Sequence, residues 1–290
     1  MNDVEPVNDP GDPRAQRIAD LAKPGHANTK VALVEDAEPL TNALRAKVRV
    51  AEVYYDQSYG LDPVVAEAAG AAGVPVIGID PAVATRLFRA DKRPKVFGIA
   101  KIPRPATLDA LNERPGDIVV LDGVRIVGNI GAIIRTATGL GAAGVVLLDS
   151  GLTAIADRRL LRASRGYVFS LPVIVATASS LERFLVDRGI ATVVLEAAGP
   201  VSLAQAASAQ ERLALVFGAE RDGPSAVFRA SDESAPALAA SAAREPLEPT
   251  LEFETVAIPM SGSAESLNVS VAAGIVLYAR NAARGAAAVG

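Results

Sequence analysis

The stretch from Ile258 to Ala279, IPMSGSAESLNVSVAAGIVLYA, carries a short apolar end into a small polar loop and then into an apolar run of helical length. Ser261 to Glu265 is rich in Gly and Ser, so its backbone amides and carbonyls can approach a ligand closely. Ser266 or Asn268 is placed to cap the helix that follows. The expectation is a ligand bay built largely from backbone, and two upstream segments give it company.

The first is Asn129-Ile130-Gly131-Ala132-Ile133-Ile134-Arg135, in which Asn129 opens a helix and Arg135 falls nearly two turns later on the same broad face. The second is the apolar strand Leu213 to Phe217, running into Gly218-Ala219-Glu220 and a Gly223-Pro224 turn. Ligands of parallel α/β sheets sit beyond the carboxyl ends of strands, where Gly218 and Glu220 fall. Taken singly, these are also what a capped helix with a surface Arg and an ordinary strand-to-loop junction look like.

Composition narrows the chemistry. The 290 residues allow two domains; half are apolar but only 4% aromatic, so the core is Ala, Val, Leu and Ile. The absence of Cys excludes disulfides, thiolate zinc sites and Cys nucleophiles, and a single His, His26, excludes a multi-His metal site. No metal is expected. The acidic, polar N-terminus resembles no signal peptide and no uncharged apolar run reaches membrane-spanning length, so a cytoplasmic setting without membrane attachment is expected. Walker and G-x-G-x-x-G phosphate signatures are missing.

Net charge is −4, yet the cations cluster. Arg86, Arg89, Lys92, Arg93, Lys95, Lys101 and Arg104 lie in one stretch, and Arg158, Arg159, Arg162 and Arg165 in another. Arg158, Arg162 and Arg165 recur at helical spacing, able to face phosphates or a carboxylate, or simply solvent.

Strand-like and helix-like runs alternate along the chain, which predicts an α/β fold with a parallel sheet. Residues 1–105 read as a small α/β unit, residues 103–116 as a linker stiffened by Pro103 and Pro105, and residues 117–290 as the larger unit. Residues 234–250 are Ala/Pro-rich and read as an excursion.

In order and spacing, Asn129-x-Gly131-x-x-x-Arg135, Phe217-Gly218-x-Glu220 and Ile258-Pro259-Met260 through Ser266-Leu267-Asn268-Val269-Ser270 resemble the three motifs of the SPOUT 2′-O-ribose methyltransferases. The closer resemblance is to the thiostrepton and nosiheptide resistance enzymes. It is carried by Val119 to Val124, Ile155 to Leu160 and Arg162 to Pro172, and in the front half by Asp12-Pro13, Glu35-Asp36, Val53-Tyr54, Phe97 to Ala100 and Pro103 to Ala106. This resemblance implies a C-terminal catalytic domain with a trefoil knot, a smaller ribosomal-protein-like N-terminal RNA-binding domain, a homodimer and S-adenosyl-L-methionine as methyl donor. The substrate it implies is an adenosine 2′-hydroxyl in the thiopeptide-binding loop of 23S ribosomal RNA. Another ribosomal or transfer RNA site, or a non-catalytic knotted RNA-binding protein, are the alternatives. By the same resemblance Arg135, Asn129, Glu220 and Asn268 serve catalysis. Arg135, Arg165, Leu195, Gly218, Glu220, Ile258, Ser266, Leu267 and Asn268 line the donor bay. Arg86, Phe88, Arg89, Lys92, Arg93, Lys95, Arg158 and Arg162 meet RNA, with Phe88 equally readable as core.

Overall fold

The computed structural model describes residues 4–23, 30–88, 93–196, 199–219, 223–228, 251–261 and 266–289. Arg89, Lys92, Glu220, His26 and the 234–250 excursion lie outside them. The elements run α1 (Pro13–Ala22), β1 (Val31–Glu35), α2 (Ala37–Arg45), β2 (Val50–Asp56), α3 (Pro63–Ala71), β3 (Val76–Ile79), α4 (Pro81–Leu87) and β4 (Val96–Lys101). They continue with β5 (Ile118–Asp122), α5 (Val127–Gly139), β6 (Gly144–Leu148), α6 (Arg158–Ala163), β7 (Val173–Val175), α7 (Ala178–Asp187), β8 (Ala191–Leu195), β9 (Val201–Ser202), α8 (Leu203–Ser208), β10 (Leu213–Gly218), β11 (Phe253–Ala257) and α9 (Val269–Val289). They form two compact units, Met1–Pro105 with Thr153–Leu171, and Ala106–Leu152 with Pro172–Gly290.

In the first unit three helices start at Asp-Pro pairs. Asp12, Asp62 and Asp80 accept from first-turn amides, and the Pro at each first helical position has no N–H to satisfy. The sheet order is β1-β4-β2-β3, with β4 antiparallel to both neighbours and β2 parallel to β3. This sheet is therefore mixed; alternation along a chain reports the order of elements, not the direction in which the last strand enters. Tyr54 stacks on Phe97 at 5.4 Å, and Phe88 meets Phe97 edge-on at 5.1 Å.

Residues 153–171 fold with this first unit, although sequence order groups them with the second. Helix α6 packs on β1, and the turn Tyr167–Phe169 packs on α2. Gly166, in the left-handed region at φ 78°, lies so close that a Cβ there would be 2.5 Å from the Pro39 carbonyl oxygen. Arg158 donates from Nε and Nη2 to Glu35, each at 2.5 Å, and from Nη1 to the Ala22 carbonyl at 2.7 Å.

The second unit is a fully parallel seven-stranded sheet ordered β7-β6-β5-β10-β8-β11-β9. Its central strands are continuous apolar runs because helices cover such sheets on both faces; Ile118, Val120, Val146 and Val216 are buried in one cluster. Residues 106–116 fold with the second unit. Leu111 is fully buried in that cluster, and Arg212 donates to the carbonyls of Leu111 and Arg114. Strand β11 enters between β8 and β9, which are joined only by residues 196–200. Gly199 lies against it, where a Cβ would be 2.6 Å from the Thr255 carbonyl oxygen.

Helix α9 is fastened by a buried ion cluster. Arg280 donates from Nε and Nη2 to Asp117 at 2.8 and 2.9 Å, and its Nη1 and Nη2 also reach the carbonyls of Ala206, Ala207, Ala209 and Glu211. Asp117 further accepts from Arg284 at 2.6 Å and from the Leu213 amide at 2.9 Å. Arg280 and Asp117 are 1% and 2% exposed, so the pair stands in for solvent on both sides.

Candidate active site

Four adjacent strands of the second unit end level with one another. Phe217 of β10 pairs with Leu195 of β8, Leu195 with Val256 of β11, and Gly218 with Asp122 of β5. Leu195, Gly218 and Ile258 thus come together at one carboxyl edge, the place where parallel sheets bind ligands. Gly218 has to be Gly: a Cβ would lie 2.4 Å from the Pro224 nitrogen and 2.5 Å from the Gly223 carbonyl carbon. The loop folds back so tightly because Ala219 and Gly223 exchange two backbone hydrogen bonds, at 3.2 and 2.9 Å.

A carboxylate overlooked in the sequence closes this loop. Asp122, 4% exposed, accepts from the Ser225 amide at 2.6 Å. An Asp ending an otherwise apolar strand was the available signal.

Two helix starts complete the edge. Asn268 caps α9: its Oδ1 accepts from the Ser270 amide at 2.9 Å and the Ser270 hydroxyl at 2.6 Å. Ser266, the alternative cap, is exposed, and Leu267 half-buried. Asn129 sits in the first turn of α5 rather than at its cap, which is Ile126. The Asn268 carboxamide donates to Asn129 Oδ1 at 3.3 Å, so the first and third motifs meet directly. Further along, α5 packs on α9, with Gly274 facing Thr136.

Arg135 is half-buried on α5, and its Nε is buried without a hydrogen-bond partner among the described residues. A buried guanidinium N–H left open is costly unless a ligand supplies an acceptor. A carboxylate or phosphate fits it, so the donor set suits a ligand carrying such a group.

The remaining expected residues belong to the first unit. Arg165, at φ 50°, pairs with Glu38 at 3.1 Å, and its carbonyl accepts from Asn42 at 2.9 Å. The Arg158 fork holds the buried Glu35. That bond raises the guanidinium's proton affinity against the effect of burial. Phe88 is 5% exposed and belongs to the core, which corrects its assignment to RNA contact. Arg93 is braced by Asp56 at 3.1 Å and the Thr85 hydroxyl at 2.6 Å. Arg86 and Lys95 are exposed, and Arg162 stands 3.9 Å from Asp36.

Among the described residues, no group of three His, Cys, Asp or Glu is arranged to hold a metal, and no helix is long and apolar enough to cross a membrane.

The second unit is of the SpoU rRNA methylase class: residues 117–235 match that family. Residues 4–114 match the N terminus of the thiostrepton-resistance methylases. Two proteins named 23S rRNA (adenosine(1067)-2′-O)-methyltransferase are similar over nearly their whole length. The one from Streptomyces azureus is 43% identical over 97% of each chain. The one from Streptomyces laurentii is 46% identical over 97% of this chain and 96% of that one. Among solved structures, the SpoU methyltransferase AviRb from Streptomyces viridochromogenes, in complex with the cofactor AdoMet, is 25% identical, with a TM-score of 0.72 over 94% of this chain and 99% of that one. The chain belongs to the SpoU rRNA methylases, in the group that carries the thiostrepton-resistance N terminus.

Proposed function

We propose that the protein transfers a methyl group from S-adenosyl-L-methionine to the 2′-hydroxyl of an adenosine in the thiopeptide-binding loop of 23S ribosomal RNA, giving resistance to thiostrepton-type antibiotics. The observation that carries this reading is the meeting of Asn129 and Asn268 beside the level strand ends at Leu195, Gly218 and Ile258. The near full-length similarity to the two Streptomyces methyltransferases supports the substrate.

When bound, S-adenosyl-L-methionine would supply a sulfonium methyl carbon, which the ribose 2′-oxygen would take in line as the thioether leaves and the hydroxyl proton passes to water. The residues' part is to bind, align and stabilise charge. Backbone at Leu195, Gly218, Ile258 and Leu267 holds the adenine and ribose of the donor, with Ser266 and Asn268 supporting the bay and Glu220 steadying the motif loops. Arg135 positions the acceptor through its open Nε and stabilises charge developing on the 2′-oxygen; a guanidinium does not act as a base. Asn129 orients the ribose or Arg135. Arg165 reaches the donor's carboxylate or the RNA from a partner subunit.

The protein works as a cytoplasmic homodimer. Val271, Ile275 and Tyr278, exposed at i, i+4 and i+7 of α9, form an apolar stripe, uncovered among the described residues, that suits the dimer interface. The trefoil knot is supported by the strand order, in which β11 lies between β8 and β9. The first unit is the ribosomal-protein-like RNA-binding domain, with Arg86, Arg89, Lys92, Arg93, Lys95 and Arg162 toward RNA.

The test is methylation of a large-subunit RNA fragment carrying that loop, with labelled donor. Labelling is expected, and is expected to vanish when the adenosine is 2′-deoxy or 2′-O-methyl. Undiminished labelling of the blocked fragment overturns the site.

A further inference from the structure

Tyr59 is an aromatic side chain displayed at the surface with no part in the core; it is 54% exposed. Its mount is rigid. The Tyr59 amide donates to the Asp56 carbonyl at 3.0 Å, and Asp56 Oδ1 accepts from both the amide and the hydroxyl of Ser58, at 2.9 and 2.6 Å. The turn is stitched to the sheet on both sides, by Asp56 N to the Lys95 carbonyl at 2.9 Å and Gln57 N to the Ile79 carbonyl at 3.0 Å. The carboxyl ends of β2 and β3 and the start of β4 therefore present Tyr59 at one edge of the first unit.

Two cations attend the ring. The Arg93 guanidinium carbon is 5.5 Å from its centroid and the Lys95 Nζ 4.8 Å. They differ in freedom. Arg93 is fixed by the 1%-exposed Asp56 carboxylate, by Thr85 and by the Pro81 carbonyl. Lys95 is exposed and, among the described residues, pairs with no carboxylate. A fixed exposed ring with a fixed cation and a movable one matches the needs of one unpaired nucleotide, in which the base stacks and the phosphate takes the mobile ammonium.

We propose that Tyr59 is a stacking platform for an unpaired base of the target RNA, with Lys95 moving from the ring to the adjoining phosphate and Arg93 holding the platform. This deepens the RNA-methyltransferase reading and rests on it for the identity of the RNA. A base-paired duplex offers no free base face, so the platform distinguishes loop from stem.

The experiment measures binding without methyl donor, by anisotropy of a labelled large-subunit loop fragment and of a fully paired duplex of matched length. Tyr59→Ala is expected to weaken loop binding about 5- to 150-fold, the range for losing one base–aromatic stack, and to leave duplex binding unchanged. Tyr59→Trp is expected to restore loop binding, and Lys95→Gln to lower the salt slope by about one counterion. Equal loss for loop and duplex, or a Tyr59→Ala chain that binds the loop as tightly as the natural one, overturns the platform. If that tight-binding variant and the natural chain both methylate the loop, the methyltransferase reading stands while the platform falls. If the natural chain binds the loop through Tyr59 but methylates no RNA, the reverse holds.

Discussion

The carboxamide of Asn268 donates to Oδ1 of Asn129 across 3.3 Å, joining two helix starts 139 positions apart. Asn268 has a second task, since the same side chain's Oδ1 caps α9. Removing it therefore unties a cap and a cross-link together. Asn268→Ala is expected to cost about 1 kcal/mol of stability through the cap and to lower methylation further than that loss explains. Asn268→Asp keeps the capping oxygen but loses the donor to Asn129, so it should hold stability and still lose activity. Urea unfolding by circular dichroism and initial methylation rates separate the two; an Asn268→Asp chain with natural activity would show the link to be dispensable.

Arg135 makes a sharper case because its buried Nε has no hydrogen-bond partner among the described residues. An N–H that meets no acceptor among the described residues contributes little to the fold, so Arg135→Lys, which removes it, should leave unfolding nearly unchanged. If a forked guanidinium stabilises the developing alkoxide, the variant should lose roughly 100- to 1,000-fold in the methyl-transfer rate, as for other single donors aimed at a reacting oxyanion. Natural rates at natural RNA affinity would count against that role.

Gly218 and Gly70 offer a contrast between a glycine demanded by space and one that is not. A Cβ at Gly218 meets backbone at 2.4 Å, whereas at Gly70 in α3 it meets nothing within 4 Å. Gly218→Ala should destabilise by about 1–3 kcal/mol through forced shifts and weaken S-adenosyl-L-methionine binding in calorimetry. Gly70→Ala, in the last turn of α3, should stabilise by up to roughly 0.5 kcal/mol. Unperturbed donor affinity in Gly218→Ala would remove the Ala219–Gly223 loop from the bay.

Much of this arrangement is written locally. Buried strands such as Ile118 to Leu121 and Gly144 to Leu148 are legible because apolar runs between turn residues have few other uses. So is a cap at Ser266 or Asn268, of which the fold uses Asn268. Helix α8 was illegible by periodicity because Leu203–Ser208 is short and Ala-rich, although its capping box, Ser202 with Gln205, is a readable signal. The occupation of Arg158 could not be read, because its partner Glu35 is 123 positions away. Helical spacing shows which face a cation shares but not whether an acid already waits there. The antiparallel entry of β4 and the burial of Leu111 are likewise tertiary facts, decided by which surface a segment covers.

The same distance hides the anchor of α9. Arg280 breaks the apolar run after Tyr278, and nothing nearby in sequence answers it; Asp117 lies 163 positions back. Both groups are almost wholly buried, and every hydrogen-bonding edge of the guanidinium is met by Asp117 or a carbonyl. Truncating one partner strands the other in a dry site, which costs about 3–5 kcal/mol. Arg280→Met is therefore expected to destabilise far more than Arg125→Met, whose ion pair with Asp149 is about two-thirds exposed and should contribute under about 1 kcal/mol. Because α9 carries Asn268 at its start, a loosened helix should also weaken donor binding before the chain unfolds. With no Trp in the sequence, circular dichroism in urea is the measure, paired with calorimetry of the donor. Equal effects of the two Arg→Met exchanges would show that the buried cluster does not hold α9.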